Sequence, residues 1–269
     1  MPSVLYIANG FNMDPEKIGE YYGRTELRFW NPTPFDTKVN MTVYYADREP
    51  ASLPELSIKA GGNPLLVFPR DHGEFFRNVG PWGMRLVSDT IIMVDHIGGR
   101  GRKGPEDNVK FRGGCNDSLA RDRLSRLWYF SDGLALVWDP DTAPFPFNEF
   151  EWYHILNPNP VEAHVTMKCY YSDGSRESYD YTVPGERVQF IDNYGMVKTN
   201  NPFGIRFVSD QPVMVESERF IYGLRGGFKE WGAHLHCPRP GQPAPLVWNE
   251  EGVVAEEAQG PIGQKARLT

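Results

Sequence analysis

The chain has 269 residues, a formal net charge of −7, and is 40% hydrophobic and 23% charged. That length accommodates two ordinary domains, each with its own core. The acidic balance disfavours general affinity for nucleic-acid backbones, and the absence of any run of 18 apolar residues excludes a helical membrane span.

The opening "MPSVLYIANGFNMDPEK" has neither the basic flank nor the apolar stretch of a secretion signal. Cys115, Cys169 and Cys237 cannot all pair with one another and show no close spacing, so a reduced, cytoplasmic setting is expected. Aromatics at 13%, with plentiful Pro and Gly, suit short strands joined by tight turns.

In chain order, "TKVNMTVYYAD" (37–47) alternates so that Val39, Met41 and Val43 face one way and Lys38, Asn40 and Thr42 the other, a strand with one wet face. "GMRLVSDTIIMVDH" (83–96) follows. The one helical candidate is "NDSLARDRLSRL" (116–127), with Asn116 or Asp117 as N-cap. Then "HVTMKCYYSDG" repeats the first alternation and ends in a hairpin signal, "SYDYTVP" and "RVQFIDN" read as short strands, and "GIRFVSDQPVMVESERF" reads as two more around a turn at Ser209–Pro212. Beyond residue 238 the chain is rich in Pro, Gly and charge and reads as an extended or disordered tail, with "PLVWNEEGVV" as a docking strand within it.

The strands repeat. "VNMTVYYAD" (39–47) aligns with "VTMKCYYSD" (165–173), "RFWNPTPFDTK" (28–38) with "HILNPNPVEAH" (154–164), and "GMRLVSDTIIMVDH" with "GIRFVSDQPVMVES" (204–217). Asn31 falls over Asn157, Arg85 over Arg206, and Gly10 of "LYIANGF" over Gly133 of "WYFSDGL". A fixed order of matches with small drifts in offset signals a duplicated unit whose loops changed length. The expected fold is all-β: two tandem antiparallel, jelly-roll-like β-sandwiches at 1–100 and 127–237. A linker at 101–126 carries the short helix, and the tail is 238–269.

Several patterns bear on chemistry. Gly99, Gly101 and Gly104 form a G-x-G-x-x-G, but no helix pattern follows to receive a pyrophosphate, so a basic loop is expected there. His234, His236 and Cys237 in "HLHC" lack the further ligands zinc needs, and no metal or cofactor is expected. Glu216 and Glu218 share one strand face, where two anions need an answering group; they are either solvated edge carboxylates or a functional pair. Trp128, Tyr129, Trp138, Trp152 and Tyr153 are interleaved with Asp132, Glu151 and His154. Aromatic faces beside carboxylates suit a sugar, which stacks its C–H face and hydrogen-bonds its hydroxyls. Each ring could equally fill a sandwich core.

The order of "LWYFSDG", "EWYHILNPNPVEAHVTMKCYYSDG", "YTVPGERVQFI" and "FGIRFVSDQPVMVESER" resembles the sensory rhodopsin transducer domain family over about residues 127–222, and more loosely over 4–100. The resemblance implies a β-sandwich that forms homo-oligomers and binds small molecules of carbohydrate type. Carried over by motif, the acidic residue before Gly falls on Asp132 and on Asn9. The Glu opening the ILN strand falls on Glu151 and approximately on Glu26, and the Gln-His of the last strand falls on Asp95-His96 and on Glu216-Ser217. The family's usual chain is a single domain, so a dimer of this tandem would mimic a tetramer of single units.

The expectation is therefore a non-enzymatic, homo-oligomeric protein that binds a sugar or sugar derivative. Trp128 and Trp152 would stack, and Asn9, Glu26, Asp95, His96, Asp132, Glu151, His154, Glu216 and Glu218 would supply polar contacts. An adaptor for a protein partner and a glycoside-active enzyme using Glu216 or Glu218 are the alternatives.

Overall fold

The alternation at residues 37–45 is realised residue by residue: Val39, Met41 and Val43 are buried while Lys38 and Asn40 are exposed. A computed structural model describes residues 2–12, 21–76, 79–102, 115–137, 147–193, 195–223, 242–243, 247–249 and 252–254. In its first half the strands are β1 (Ser3–Asn12), β2 (Tyr21–Trp30), β3 (Thr37–Tyr45), β4 (Ala51–Ser52), β5 (Leu56–Ile58), β6 (Leu65–Phe68), β7 (Val79–Ser88), β8 (Met93–Arg102) and β9 (Cys115–Leu119), with one short helix, α1 (Gly73–Phe76), before β7. The second half has β10 (Ser125–Gly133), β11 (Phe147–Asn157), β12 (Ala163–Tyr171), β13 (Arg176–Val183), β14 (Arg187–Asp192) and the long β15 (Phe203–Gly223), and the final pieces are β16 (Gln242–Pro243), β17 (Val247–Asn249) and β18 (Gly252–Val254).

These strands form an all-β, sandwich-like architecture. Sheet I orders β1-β7-β3-β4 with β5 also on β3, and sheet II orders β6-β2-β8-β9. Sheet III orders β13-β12-β15-β10-β16, and sheet IV places β11 between β14 and the far part of β15. All pairings are antiparallel, so each sheet can bury one face and leave the other for solvent or a neighbour.

Several register pairs of the first half recur in the second. Tyr44 opposes Gly83 and Tyr170 opposes Gly204; Thr42 opposes Arg85 and Lys168 opposes Arg206. Arg28 opposes Asp95 and His154 opposes Glu216; Trp30 opposes Met93 and Leu156 opposes Met214. Asn31 Nδ2 donates to the carbonyls of Phe35 (2.7 Å) and Lys59 (3.1 Å), and Asn157 Nδ2 donates to those of Val161 (2.8 Å) and Val183 (3.1 Å). This explains the repeated Asn-Pro: a buried amide closes the turn after β2 and after β11 on carbonyls that would otherwise lack donors.

The same register corrects one carry-over. Glu26 pairs with Ile97 as Trp152 pairs with Glu218, so Glu26 is the counterpart of Trp152, and Thr25 stands where Glu151 stands.

Each half has its own core. In the first, Phe68, Phe76 and Trp82 stack with centroids 4.0 to 5.7 Å apart beside Ile7, Phe29 and Leu86. In the second, Phe130, Tyr153 and Phe207 form a triangle of 5.4 to 5.8 Å, with Met167, Val165 and Val215 around it. Ala8 and Tyr44, from sheet I, belong to the second cluster, so the halves share apolar packing.

Two sequence expectations change. Residues 116–127 form no helix: 115–119 pair with the edge of β8, and 125 opens β10. The open edge of β8 offers residues 115–119 backbone partners that an isolated helix here would not have. Sheet II thus extends to Leu119. Residues 203–223 are one strand that bends from sheet III to sheet IV rather than two strands. In the tail, β16 pairs with β10 at Trp128 and Tyr129, and β17 and β18 form a hairpin with each other.

Candidate functional site

The register of β1 on β7 jumps between Ile7 and Gly10, leaving Ala8 and Asn9 in a bulge. Bulge amides turn away from the ladder, and here both are met by one carboxylate from the other half. Glu216 Oε2 accepts from the Ala8 N–H at 2.6 Å and from the Asn9 N–H at 2.8 Å. Gly10 ends the bulge because nothing larger fits: a Cβ there would lie 2.1 Å from the Trp82 ring. Gly133 ends the matching register shift in β10, with a Cβ position 2.4 Å from the Phe203 ring.

Glu216 and Glu218 project from the outer face of sheet IV with Trp152, His154, Leu156 and Met214. That face is covered by the outer face of sheet I, and both glutamates are fully buried. Leu156 lies over Gly83 of β7, where a Cβ would be 3.1 Å from its Cδ2. The Trp152 ring packs against Phe11 with centroids 6.2 Å apart, and His154 Nε2 is 3.9 Å from Glu218 Oε2. At the rim, Arg187 pairs with Glu49, and the Arg121 backbone exchanges hydrogen bonds with Tyr6 at 2.7 and 3.0 Å. Burial pushes the Glu216 carboxyl up to about 7, against the pull of the Ala8 and Asn9 amides and of Arg121.

A second network lies on the inner face of sheet IV. Arg219 donates to Glu151 Oε1 through Nε (3.1 Å) and Nη2 (2.7 Å), and also to the Asp132 carbonyl oxygen. Tyr153 donates its hydroxyl to Glu151 Oε2, and the Glu151 backbone exchanges bonds with Asn193. Burial pushes the Glu151 carboxyl up to about 7, outweighing the Arg219 guanidinium. Tyr153 is driven well above its usual range by burial and then by the Glu151 charge.

The structure therefore gathers Asn9, Trp152, His154, Glu216 and Glu218 at the junction of the halves, with Glu151 and Asp132 in the adjoining Arg219 network. It places the others elsewhere. Trp128 is a fully buried core residue whose indole N–H donates to the Val213 and Ser125 carbonyls, which takes its ring out of reach of a stacking ligand. His96 is buried on the inner face of β8, opposite Leu27. Glu26 and Asp95 lie half-buried on the outer face of sheet II. Neither Glu216 nor Glu218 faces a cleft.

That outer face of sheet II is the open surface of chemical interest. Arg28, Trp30, Asn63, Met93 and Asp95 line a shallow depression of about 140 Å³. Trp30 and Met93 are 44% and 42% exposed, with Leu65 beside them at 38%. Sequence reasoning missed Arg28 and Trp30. The signal was their alignment with His154 and Leu156, which carries meaning only once sheet IV is seen to be covered.

Gly99 and Gly101 run in β8 opposite Arg24 and Tyr22, in a strand and not in a phosphate-binding turn; Gly104 lies outside the described residues. Trp138, His234, His236 and Cys237 also lie outside them. Among the described residues no group of three His, Cys, Asp or Glu could hold a metal ion, and no helix is long and apolar enough to cross a membrane.

No family model matches the chain, and no curated protein matches it. Among solved structures it is similar to Thermotoga maritima 1070 at 16% identity, over 44% of this chain and 93% of that one, with a TM-score of 0.36. It is also similar to the Anabaena sensory rhodopsin transducer at 26% identity, over 35% of this chain and 85% of that one, with a TM-score of 0.30. A Bacteroides uniformis β-glucuronidase aligns at 10% identity over 80% of this chain and 25% of its own, with a TM-score of 0.19.

Proposed function

We propose that the chain is a non-enzymatic binding module, two copies of one sandwich unit fused head to tail, whose docking face is the outer surface of sheet II. One observation carries this reading. Arg28, Trp30, Met93 and Asp95 occupy the register positions of His154, Leu156, Met214 and Glu216, and the latter four are buried as the seat for another sandwich. A face built on the same plan, with two large apolar side chains left in water, suits a protein surface. The module then acts as a structural or adaptor protein. Its expected compartment is the cytoplasm, in keeping with the buried free thiol of Cys169.

A second reading places a sugar in the same depression. The exposed Trp30 ring could stack on a C–H face, and Asn63, Asp95 and Arg28 could address hydroxyls or a carboxylate.

Thermal unfolding on two axes tests both. If the face docks protein, the midpoint rises with protein concentration and Trp30→Ala abolishes the rise. If it holds a sugar, one of a set of neutral, amino, acidic and phosphorylated sugars shifts the midpoint at fixed protein concentration. At a hundredfold its dissociation constant that sugar adds about 2.7 kcal/mol, and Trp30→Ala removes the effect. Dependence on neither axis defeats both self-docking and sugar binding at this face.

A further inference from the structure

Sheet III ends on β13, which pairs on one side only, with β12. Among the described residues, nothing outside β12 hydrogen-bonds the backbone of residues 176–182. We propose that this free edge docks an extended segment of another protein, which adds to sheet III as an antiparallel strand. The segment turns apolar side chains toward Tyr179 and Tyr181. On its outer side it carries a lysine facing Asp180 and, four residues later, a glutamate facing Arg176. This edge is separate from the sheet II face and does not rest on it.

A strand edge is a row of unpaired N–H and C=O groups, and proteins guard it by keeping it short, kinked, proline-bearing or charged on its inner side. The other edges of this chain follow that rule. β3, which aligns with β12 in sequence, is flanked by β4 and β5, pieces of two and three residues on either side of Leu53-Pro54, with Pro50 just before β4. β6, β9 and β14 have four, five and six residues, and β1 carries the bulge that receives Glu216. β13 departs from the rule. It runs eight residues, Arg176–Val183, in unbroken register with β12 from Tyr170 opposite Arg176 to Ala163 opposite Val183, and contains neither proline nor lysine.

Its one inward charge does not guard it either, because that charge is answered within the hairpin. Glu177 Oε2 accepts from the hydroxyls of Tyr171 and Tyr179, the latter at 2.8 Å. The inward rings make a fixed shelf. The Tyr179 hydroxyl also reaches the Met196 carbonyl oxygen at 2.7 Å, and the Tyr181 hydroxyl lies 4.0 Å from Met196 Sδ. Both tyrosines pack on the second core but are only half-buried, which leaves ring surface for the side chains of a strand laid alongside. Rings already pinned lose little freedom when such a strand arrives.

The outer side of β13 sets the partner's charges. Arg176, Ser178, Asp180 and Thr182 are all exposed there. Arg176 lies over the Tyr170 ring, 5.3 Å from its centroid, and Thr166 Oγ1 donates to Asp180 at 2.7 Å. Both charges are thus steadied from the β12 side, and each stays exposed toward the edge. Opposite charges directly across two strands are favoured and like charges are not. An antiparallel strand answers both with lysine before glutamate. Parallel pairing, less stable per residue, would need the reverse order. Main-chain bonds then supply the affinity of an added strand, and its alternate side chains supply the selectivity.

The probe is a synthetic peptide of about nine residues, long enough to cover the strand. Valines alternate with threonines in it, with lysine and then glutamate at two outer positions four apart. It is titrated into the full chain while amide hydrogen exchange is followed along the backbone. Protection should rise over residues 176–183 and not at β6, β9 or β14. Methylating the peptide nitrogens that face β13 should weaken binding about tenfold or more, and methylating the alternate set should leave it nearly unchanged. Asp180→Lys should weaken it about two- to fivefold, and glutamate in place of the peptide's lysine should recover that loss. No protection of β13 at near-millimolar peptide overturns the proposal. Equal weakening by both methylation patterns overturns it too, because side chains alone would then be docking. Protection of β13 that grows with protein concentration, without peptide, would give the edge to a second copy and overturn the assignment to another protein.

Discussion

Glu216 Oε2 lies 2.6 Å from the backbone nitrogen of Ala8, 208 residues away in the chain. This contact, with its partner at Asn9, ties β15 of the second half to the β1 bulge of the first. Glu216→Ala should cost about 2–5 kcal/mol, the penalty for leaving two buried N–H groups unanswered. Glu216→Gln keeps an acceptor oxygen and should cost about 1 kcal/mol. Urea unfolding measures both. Equal losses for Ala and Gln would mean that the charge, not the hydrogen bonds, holds the junction.

Burial raises both Glu216 and Glu151 to about 7, so the folded chain holds protons that the unfolded chain, with ordinary carboxylates, releases at lower pH. Between about pH 4.5 and 7 the native state binds more protons than the unfolded one, and the stability these groups contribute falls as pH rises through that window. Each contributes a change of about 3 kcal/mol at most, flat above it. The protein should unfold at lower urea concentration at about pH 8 than at about pH 5.5, and Glu216→Gln should remove part of the slope. Exposed carboxylates held below their usual range, Asp36, Asp47 and Asp173 among them, act in the opposite sense only at more acid pH. A stability that rises between pH 5.5 and 8 would contradict the burial of these two groups.

Gly10, Gly133 and Gly204 should respond differently to the same methyl group. Gly10→Ala and Gly133→Ala drive a Cβ into the Trp82 and Phe203 rings and should each cost about 1–3 kcal/mol or more, as overpacked sites do. Gly204→Ala has room and should be close to neutral or slightly stabilising, since a strand Gly gives up backbone entropy on folding. Thermal midpoints of the three variants decide it. A large loss at Gly204 would show that the strand there is closer to its neighbours than its geometry allows.

Much of the fold was legible because β-strands write their inner face every second residue. Val39-x-Met41-x-Val43 and Val165-x-Met167-x-Cys169 are buried as the alternation requires. Asn31 and Asn157 marked equivalent turns before their carbonyl partners were visible. The site was less legible, for a definite reason. Alternation says that Glu216, Glu218 and His154 share the face opposite the core, but not that another sandwich covers that face. Trp128 carries the converse ambiguity: an aromatic beside carboxylates in sequence reads as a ligand platform, while its alternate neighbour Phe130 packs the same interior. Residues 116–127 read as a helix from the N-cap candidates Asn116 and Asp117, whereas the open edge of β8 draws 115–119 into strand pairing. Matching sequence blocks located the corresponding positions; only the tertiary arrangement showed that the sheet IV face is covered.

Arg219 offers the sharpest separation of charge from packing. Its Nε and Nη2 both reach Glu151 Oε1, and Tyr153 donates to the other carboxylate oxygen. Arg219→Ala leaves a buried carboxylate with a single hydroxyl donor, a change of the kind that costs about 3–5 kcal/mol when the group must stay ionised. With the guanidinium gone, the Glu151 carboxyl rises further and binds a proton, which relieves much of that cost at low pH. The loss measured by urea unfolding should therefore be larger at about pH 8 than at about pH 5. Arg219→Ala combined with Glu151→Gln should recover part of it at the higher pH, because the double variant buries no charge. A loss independent of pH, with no recovery in the double variant, would assign Arg219 to packing along β15 rather than to neutralising Glu151.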